Sequence, residues 1–235
     1  MEHHLKRLHE LISQNEGSKT FKTYLDAFIF DCRIRNLSTK TINVYSERLY
    51  YFFGYLFRNN IQIDGITRED IQNYIMSMIG NVSPETVNGR ITVIKRFFNY
   101  LEEEEYLTIP NPARKLKPVK SEKTIKDVIL PEQINDIIRS TNRKVFEGFR
   151  DTTILLVFWD SMIRKSELTS LKLDDVYLHD GLLKVYGKGR KERYVPVGPK
   201  TIKILHAYIN KWRKSISGNL LFCTRQGDPI TARHC

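Results

Sequence analysis

Cysteine is scarce in this chain of 235 residues: Cys32, Cys223 and Cys235, an odd number, far apart or at the terminus. No paired metal-ligand spacing accompanies them, so neither a disulfide framework nor a zinc site is indicated, and no metal or cofactor is expected. A reducing cytoplasm fits that usage. Long apolar runs are missing as well. The longest, residues 154–159, falls far short of the roughly 20 residues that a bilayer-spanning helix needs, and the N-terminus opens with charges where a signal peptide would be apolar. The expected product is soluble and intracellular. Acidic charge is in deficit: Lys and Arg outnumber Asp and Glu by 38 to 27, giving a net charge of +11. That excess favours a polyanionic partner, against the plainer alternative of a basic but ordinary surface. With 41% apolar residues the chain can bury real cores, and it is long enough for two modest domains.

Residues 1–16 read as a charged, weakly amphipathic helical arm that Gly17-Ser18 ends. Four helices are then predicted over residues 17–106. Phe21, Leu25, Phe28 and Ile29 recur at helical spacing, and Ser38 is the N-cap of a second helix with Ile42, Tyr45, Leu49, Phe52, Phe53 and Leu56 on one face. Thr67 to Asp70 resembles a capping box. Ser83-Pro84-Glu85 combines a hydroxyl cap, a proline whose missing amide costs nothing, and an acid in the positive first turn. The acidic run 102–105 has no histidine or second carboxylate cluster beside it and reads as a solvated surface. Residues 107–127, with three prolines and a string of cations, are expected to form an extended basic linker that adds nothing to a core. It is either a solvated tether or a strap along a phosphate backbone, and two domains joined by such a strap would clamp duplex DNA.

A second domain is predicted over residues 128–235. Ile134, Ile137 and Ile138 mark its first helix, residues 152–159 form a buried helix ended by Asp160-Ser161, and another begins at Ser166-Glu167-Leu168. Arg164 lies between the two, where burial of a guanidinium demands an anion or carboxylate to meet it. Residues 174–177, 182–186 and 193–197 read as short strands of a small antiparallel sheet, with residues 187–191 as a hairpin turn. Gly187 and Gly189 permit positive φ there, projecting Lys188. Pro196 suits an edge strand. A last full helix starts at Pro199, followed by a strand at residues 220–222, a turn at Gly227-Asp228-Pro229, and the first turn of a helix from Thr231.

Two of these stretches carry a resemblance. Asp160-Ser161-Met162-Ile163-Arg164-Lys165-Ser166-Glu167-Leu168 resembles the first-arginine box of the tyrosine recombinases (phage integrase family). Gly187-Lys188-Gly189-Arg190-Lys191-Glu192-Arg193, followed by Val195-Pro196-Val197, resembles their β-hairpin lysine motif, in the family's order and separation. Residues 37–52 and 83–101 are similar to helices of the core-binding domain, and Asn111-Pro112 to the domain junction; the nearest likeness is to Xer-like recombinases and mobile-element integrases. Met162 departs from the pattern, since the family usually has glycine there. The resemblance implies a mainly α fold with a small antiparallel sheet: a four-helix, SAM-like core-binding domain followed by an incomplete α+β catalytic domain.

It also implies the chemistry of DNA strand cleavage and rejoining through a 3′-phosphotyrosyl intermediate. Arg164 would grip two non-bridging oxygens of the phosphate, and Lys188 would protonate the leaving 5′-oxygen. A structural alternative pairs Arg164 with Glu167 or Asp174 and leaves Lys188 a solvated cation. DNA contacts are expected from Lys40, Arg90 and Lys95 on the helices, from Arg114, Lys115, Lys117 and Lys120 on the linker, and from Arg190, Lys191 and Arg193 on the hairpin. The family's His-x-x-Arg box and nucleophilic tyrosine are not found: Arg233-His234 has the wrong order, and Tyr177, Tyr186, Tyr194 and Tyr208 lie upstream, in strands or a helix. The chain is therefore expected to be the first part of a recombinase that assembles as a tetramer on double-stranded DNA, or a natural truncated product that binds DNA without cutting it. An unrelated basic helical regulator is the third reading.

Overall fold

The computed structural model describes residues 18–122, 127–187 and 191–230. Its contacts divide into two units, Met1–Thr124 and Ile125–Cys235.

The first unit is built on four helices, α1 (Ser18–Ile34), α2 (Thr39–Arg58), α3 (Arg68–Met76) and α4 (Pro84–Glu103). Their starts follow local chemistry. The side-chain oxygens of Ser38, Thr67 and Ser83 accept from the amides of Thr41, Asp70 and Thr86, and Asp70 returns to the Thr67 amide at 2.8 Å to close the capping box. Their inward faces meet in an aromatic core in which Phe21, Phe28, Phe52, Phe53, Phe97 and Phe98 are buried. The rings lie tilted or edge-on, as at Phe28–Phe97, where centroids are 5.6 Å apart.

The stretch after α4 departs from the expectation of a tether outside any core. Ala113 and Leu116 are buried with the helices. Asn111 donates to Asn99 (3.0 Å) and Glu102 (2.9 Å) and accepts from the Ala113 amide. The Lys95 ammonium donates to the Leu116 carbonyl at 3.2 Å, and Asn88 exchanges both of its amide bonds with Val119, at 2.9 and 2.7 Å. Two apolar residues three apart among prolines and cations suffice to dock a segment when side chains on a neighbouring helix satisfy its backbone.

The second unit comprises α5 (Pro131–Ser140), α6 (Phe146–Ser161), α7 (Lys165–Ser170), the strands β1 (Val176–Tyr177), β2 (Leu182–Tyr186) and β3 (Glu192–Pro196), and α8 (Pro199–Tyr208), which continues as a wider π turn through Ile209–Arg213. The strands pair antiparallel in the order β1-β2-β3, with Val185 opposite Arg193 and Tyr186 opposite Glu192. Leu168, Leu183, Val185, Leu205, Tyr208 and Phe222 close the core. The expected strand at 220–222 is reduced to isolated bridges, Lys172 with Leu220 and Cys223 with Pro229. The buried Arg213 guanidinium takes the carbonyls of Ile216, Gly218 (2.7 Å) and Leu220 (2.6 Å), while the Leu221 amide donates to the Leu171 carbonyl at 2.7 Å. The turn at Gly227 is present, with φ of 90°. The N-terminal arm and the helix start at Thr231 lie outside the described residues. Among the described residues no helix is long and apolar enough to cross a membrane.

Candidate functional site

The site in the second unit begins where α6 ends. Its last turn closes on Met162, whose amide donates to the Phe158 carbonyl at 2.9 Å and whose backbone is left-handed, φ 48° and ψ 31°. That reversal drops Ile163 into the core and makes Arg164 the N-cap of α7. Glu167, at the third position of α7, accepts the Arg164 amide at 2.9 Å, the return bond of a capping box.

The expectation of a buried Arg164 is corrected here: the buried member is Glu167. Its side chain is 2% exposed, against 70% for Arg164 and 42% for Arg193. Glu167 takes two parallel bonds from Arg193, 2.9 Å to Oε1 and 2.8 Å to Oε2, and one from Arg164 Nη1, 3.0 Å to Oε1. The Arg193 guanidinium, followed by the Arg164 amide and side chain, holds the Glu167 carboxyl down at about 2 against the opposing effect of burial. The left-handed turn accounts for the difference, because it carries the chain out of the core before Arg164 and lets the acid enter in its place. Asp174, the other partner considered for Arg164, accepts from Asn219 at 2.8 Å instead.

The β2–β3 hairpin brings Arg193 to this carboxylate. The Gly187 amide donates to the Lys191 carbonyl at 2.8 Å and closes the base of the loop. Gly187 is not among the glycines with positive φ, contrary to the expectation for it; a Cβ built there would meet Arg193 Nη1 at 3.5 Å and Glu167 Oε1 at 3.6 Å, ordinary contacts. Lys188, Gly189 and Arg190 lie outside the described residues. Lys191 is exposed.

In the first unit the cations divide. Arg90 is half-buried, 4.3 Å from the Tyr51 ring centre and donating to the Tyr74 hydroxyl at 3.2 Å, and Lys95 is tied to Leu116, so both have packing partners. Lys40, Lys115, Lys117 and Lys120 are exposed with no ion-pair partner among the described residues, and Arg114 stands 3.7 Å from Glu102. Among the described residues no cluster of His, Cys, Asp and Glu could hold a metal ion.

Residues 24–108 match the phage integrase N-terminal SAM-like domain, and residues 127–235 match the phage integrase family. A tyrosine recombinase XerD from Staphylococcus haemolyticus is 32% identical over 203 residues, covering 84% of this chain and 68% of that protein. The chain belongs to the tyrosine recombinases. A second relative, a tyrosine recombinase from Agathobacter rectalis, is 31% identical over 226 residues, 89% of this chain and 72% of its own. In fold, this recombinase is similar to the Tn1549 transposon integrase, solved in complex with circular intermediate DNA: the TM-score is 0.70 at 18% identity, over 90% of this chain and 74% of that one.

Four tyrosines of this recombinase chain, Tyr177, Tyr186, Tyr194 and Tyr208, have partners in the sheet and core. Tyr208 is buried, donates to the Leu221 carbonyl at 3.1 Å, and has its phenol pushed up by burial. Tyr177 and Tyr194 pack edge to face on the sheet, 5.7 Å between ring centres, and Tyr186 lies beside the Lys184–Glu192 ion pair of 2.7 Å. The feature that sequence reading did not bring out is the pairing of Arg193 with Glu167. Its signal was present: strand alternation puts position 193 on the same face as Val185, where a cation has to find a partner.

Proposed function

We propose that this recombinase chain binds duplex DNA and serves site-specific strand cleavage and rejoining, with Arg164 as the ligand of the scissile phosphate. The observation that carries the reading is the state of Arg164. Its guanidinium is held at one nitrogen by a buried carboxylate and is otherwise open to solvent, an oriented cation with donors to spare. In the reaction, a tyrosine oxygen attacks phosphorus, the bond to the 5′-oxygen breaks, and that oxygen leaves with a proton; the 3′-phosphotyrosyl bond is then reversed by a 5′-hydroxyl. Charge accumulating on the non-bridging oxygens needs fixed donors placed in advance, which is the part Arg164 fits. Lys188, within the glycine-flanked motif of residues 187–193, is the proposed proton donor. No tyrosine of residues 1–235 is assigned the attack.

Exposed Lys115, Lys117 and Lys120 on the docked strap are proposed as backbone contacts. Joining two duplexes requires four strands to be cut, so assembly of four copies on DNA belongs to the same proposal, as does a cytoplasmic site of action. The test is duplex affinity of residues 1–235 as a function of salt. Arg164→Ala is expected to lower the slope of log affinity against log salt by about 1, the loss of one phosphate contact, and Arg164→Lys to leave affinity below wild type. An unchanged slope and affinity in Arg164→Ala would remove Arg164 from the phosphate.

A further inference from the structure

Among the described residues of the hairpin, Arg193 is the cation whose side chain is bonded to Glu167. Arg193 pairs across the sheet with Val185, which is 1% exposed, so the two share the core-facing side of the hairpin. The position lies at the rim of that face, since the Arg193 side chain is 42% exposed, and its guanidinium is turned inward to the buried Glu167. Its partner is Glu167, gripped by both terminal nitrogens at 2.9 and 2.8 Å in the parallel geometry that only arginine supplies. A buried carboxylate takes the donors it can reach. With Arg193 in place, Arg164 gives Glu167 one side-chain bond and remains 70% exposed. Without Arg193, both carboxylate oxygens would lack the fork that now fills them, and among the described residues the guanidinium already bonded to Glu167 is that of Arg164.

We propose that Arg193 is a positioning residue: by occupying both oxygens of Glu167 from the hairpin, it keeps Arg164 from collapsing onto that carboxylate and leaves its outer edge open for a phosphate. This rests on the reading of Arg164 as a phosphate ligand. It assigns Arg193 a role through Arg164 in place of a direct contact with DNA. It also couples the hairpin to the arginine turn at one buried acid, so displacement of β3 is felt at Arg164.

The experiment uses residues 1–235 with Arg193→Gln, Arg193→Lys and Arg164→Ala, and each Arg193 variant combined with Arg164→Ala. In the free protein, the Nε–H resonance of Arg164, identified by its loss in Arg164→Ala, should shift and exchange more slowly with water in both Arg193 variants. Duplex binding should weaken about three- to tenfold in Arg193→Gln and in Arg193→Lys, with no further loss when either is added to Arg164→Ala. Lysine keeps the charge and cannot make the two parallel bonds, so an equal loss in both variants excludes charge alone. Losses that multiply in the double variants would show Arg193 touching DNA itself and overturn the proposal, as would an unmoved Arg164 resonance. If Arg164→Ala alone leaves binding intact, the phosphate reading fails, and the resonance still decides whether Arg193 sets Arg164. Should Arg193→Gln not fold, as judged by its thermal transition, Arg193→Lys carries both measurements.

Discussion

Met162 offers a direct measure of what the turn before Arg164 costs. It stands in the left-handed region at φ 48° and the residue is 73% exposed, in the position that closes many helices and that glycine fills at no steric penalty. For a residue bearing a Cβ that conformation costs about 1–2 kcal/mol. Replacement by glycine removes the strain and adds about 0.5–1 kcal/mol of backbone freedom to the unfolded chain. Comparing Met162→Gly with Met162→Ala cancels the few tenths of a kcal/mol lost with the side chain, and the glycine variant should be the more stable by about 0.5–1 kcal/mol. For a unit of this size that is an increase of about 3–5 °C in the melting temperature. Thermal or urea unfolding of residues 1–235 followed by circular dichroism reads the difference. Because both variants keep the turn, duplex affinity should stay within about twofold of wild type. An alanine variant as stable as the glycine variant would refute the reasoning, since the strain at the turn would then be no larger than the backbone freedom that glycine adds.

Acid unfolding should report on Glu167. Its carboxyl is held at about 2 in the folded protein, below its value in an unfolded chain, so the stabilisation is complete above about pH 4.5 and disappears as pH falls toward 2. Screening of the exposed guanidinium groups reduces this to about 1–2 kcal/mol; wild type should lose that much more than Glu167→Gln between pH 5 and 2, and parallel losses would count against the pairing. Asn88→Ala should cost about 1–2 kcal/mol and speed tryptic cleavage after Lys115 and Lys120, because both bonds to Val119 go with it; an unaltered cleavage rate would mean the strap is not fastened there. With a nicked duplex carrying a recombination site, residues 1–235 should give no covalent protein–DNA adduct on a denaturing gel. A trapped adduct would reassign one of the tyrosines.

Legibility in the sequence followed the range of the interactions. Caps at Ser38, Thr67 and Ser83 are settled within three residues, and the β2–β3 hairpin by alternation around a short turn, so both could be placed without tertiary knowledge. The docking of residues 111–119 could not, because Ala113 and Leu116 are too few to make a pattern and Asn88 lies 31 residues before its partner Val119. The site shows the same division. Arg164 stood out from its neighbours, and Glu167 was in view as a partner for it. Which of the pair is buried depended on the left-handed residue at 162, and the 26-residue separation of Arg193 from Glu167 is bridged only by the sheet register.

The fastening of the strap also moves a cost from one event to another. Ordering a residue's backbone takes about 1–2 kcal/mol from conformational freedom. On a loose tether that charge would fall due when a polyanion binds, once for each cation-bearing residue. Here the backbone around Lys115 and Lys117 is set when Asn88 and Lys95 take hold of Val119 and Leu116, so it is ordered with the fold. Only the lysine side chains then have freedom left to lose. Such a strap meets a phosphate backbone as a preset spacing of charges, so affinity should respond to where its lysines stand as much as to how many there are.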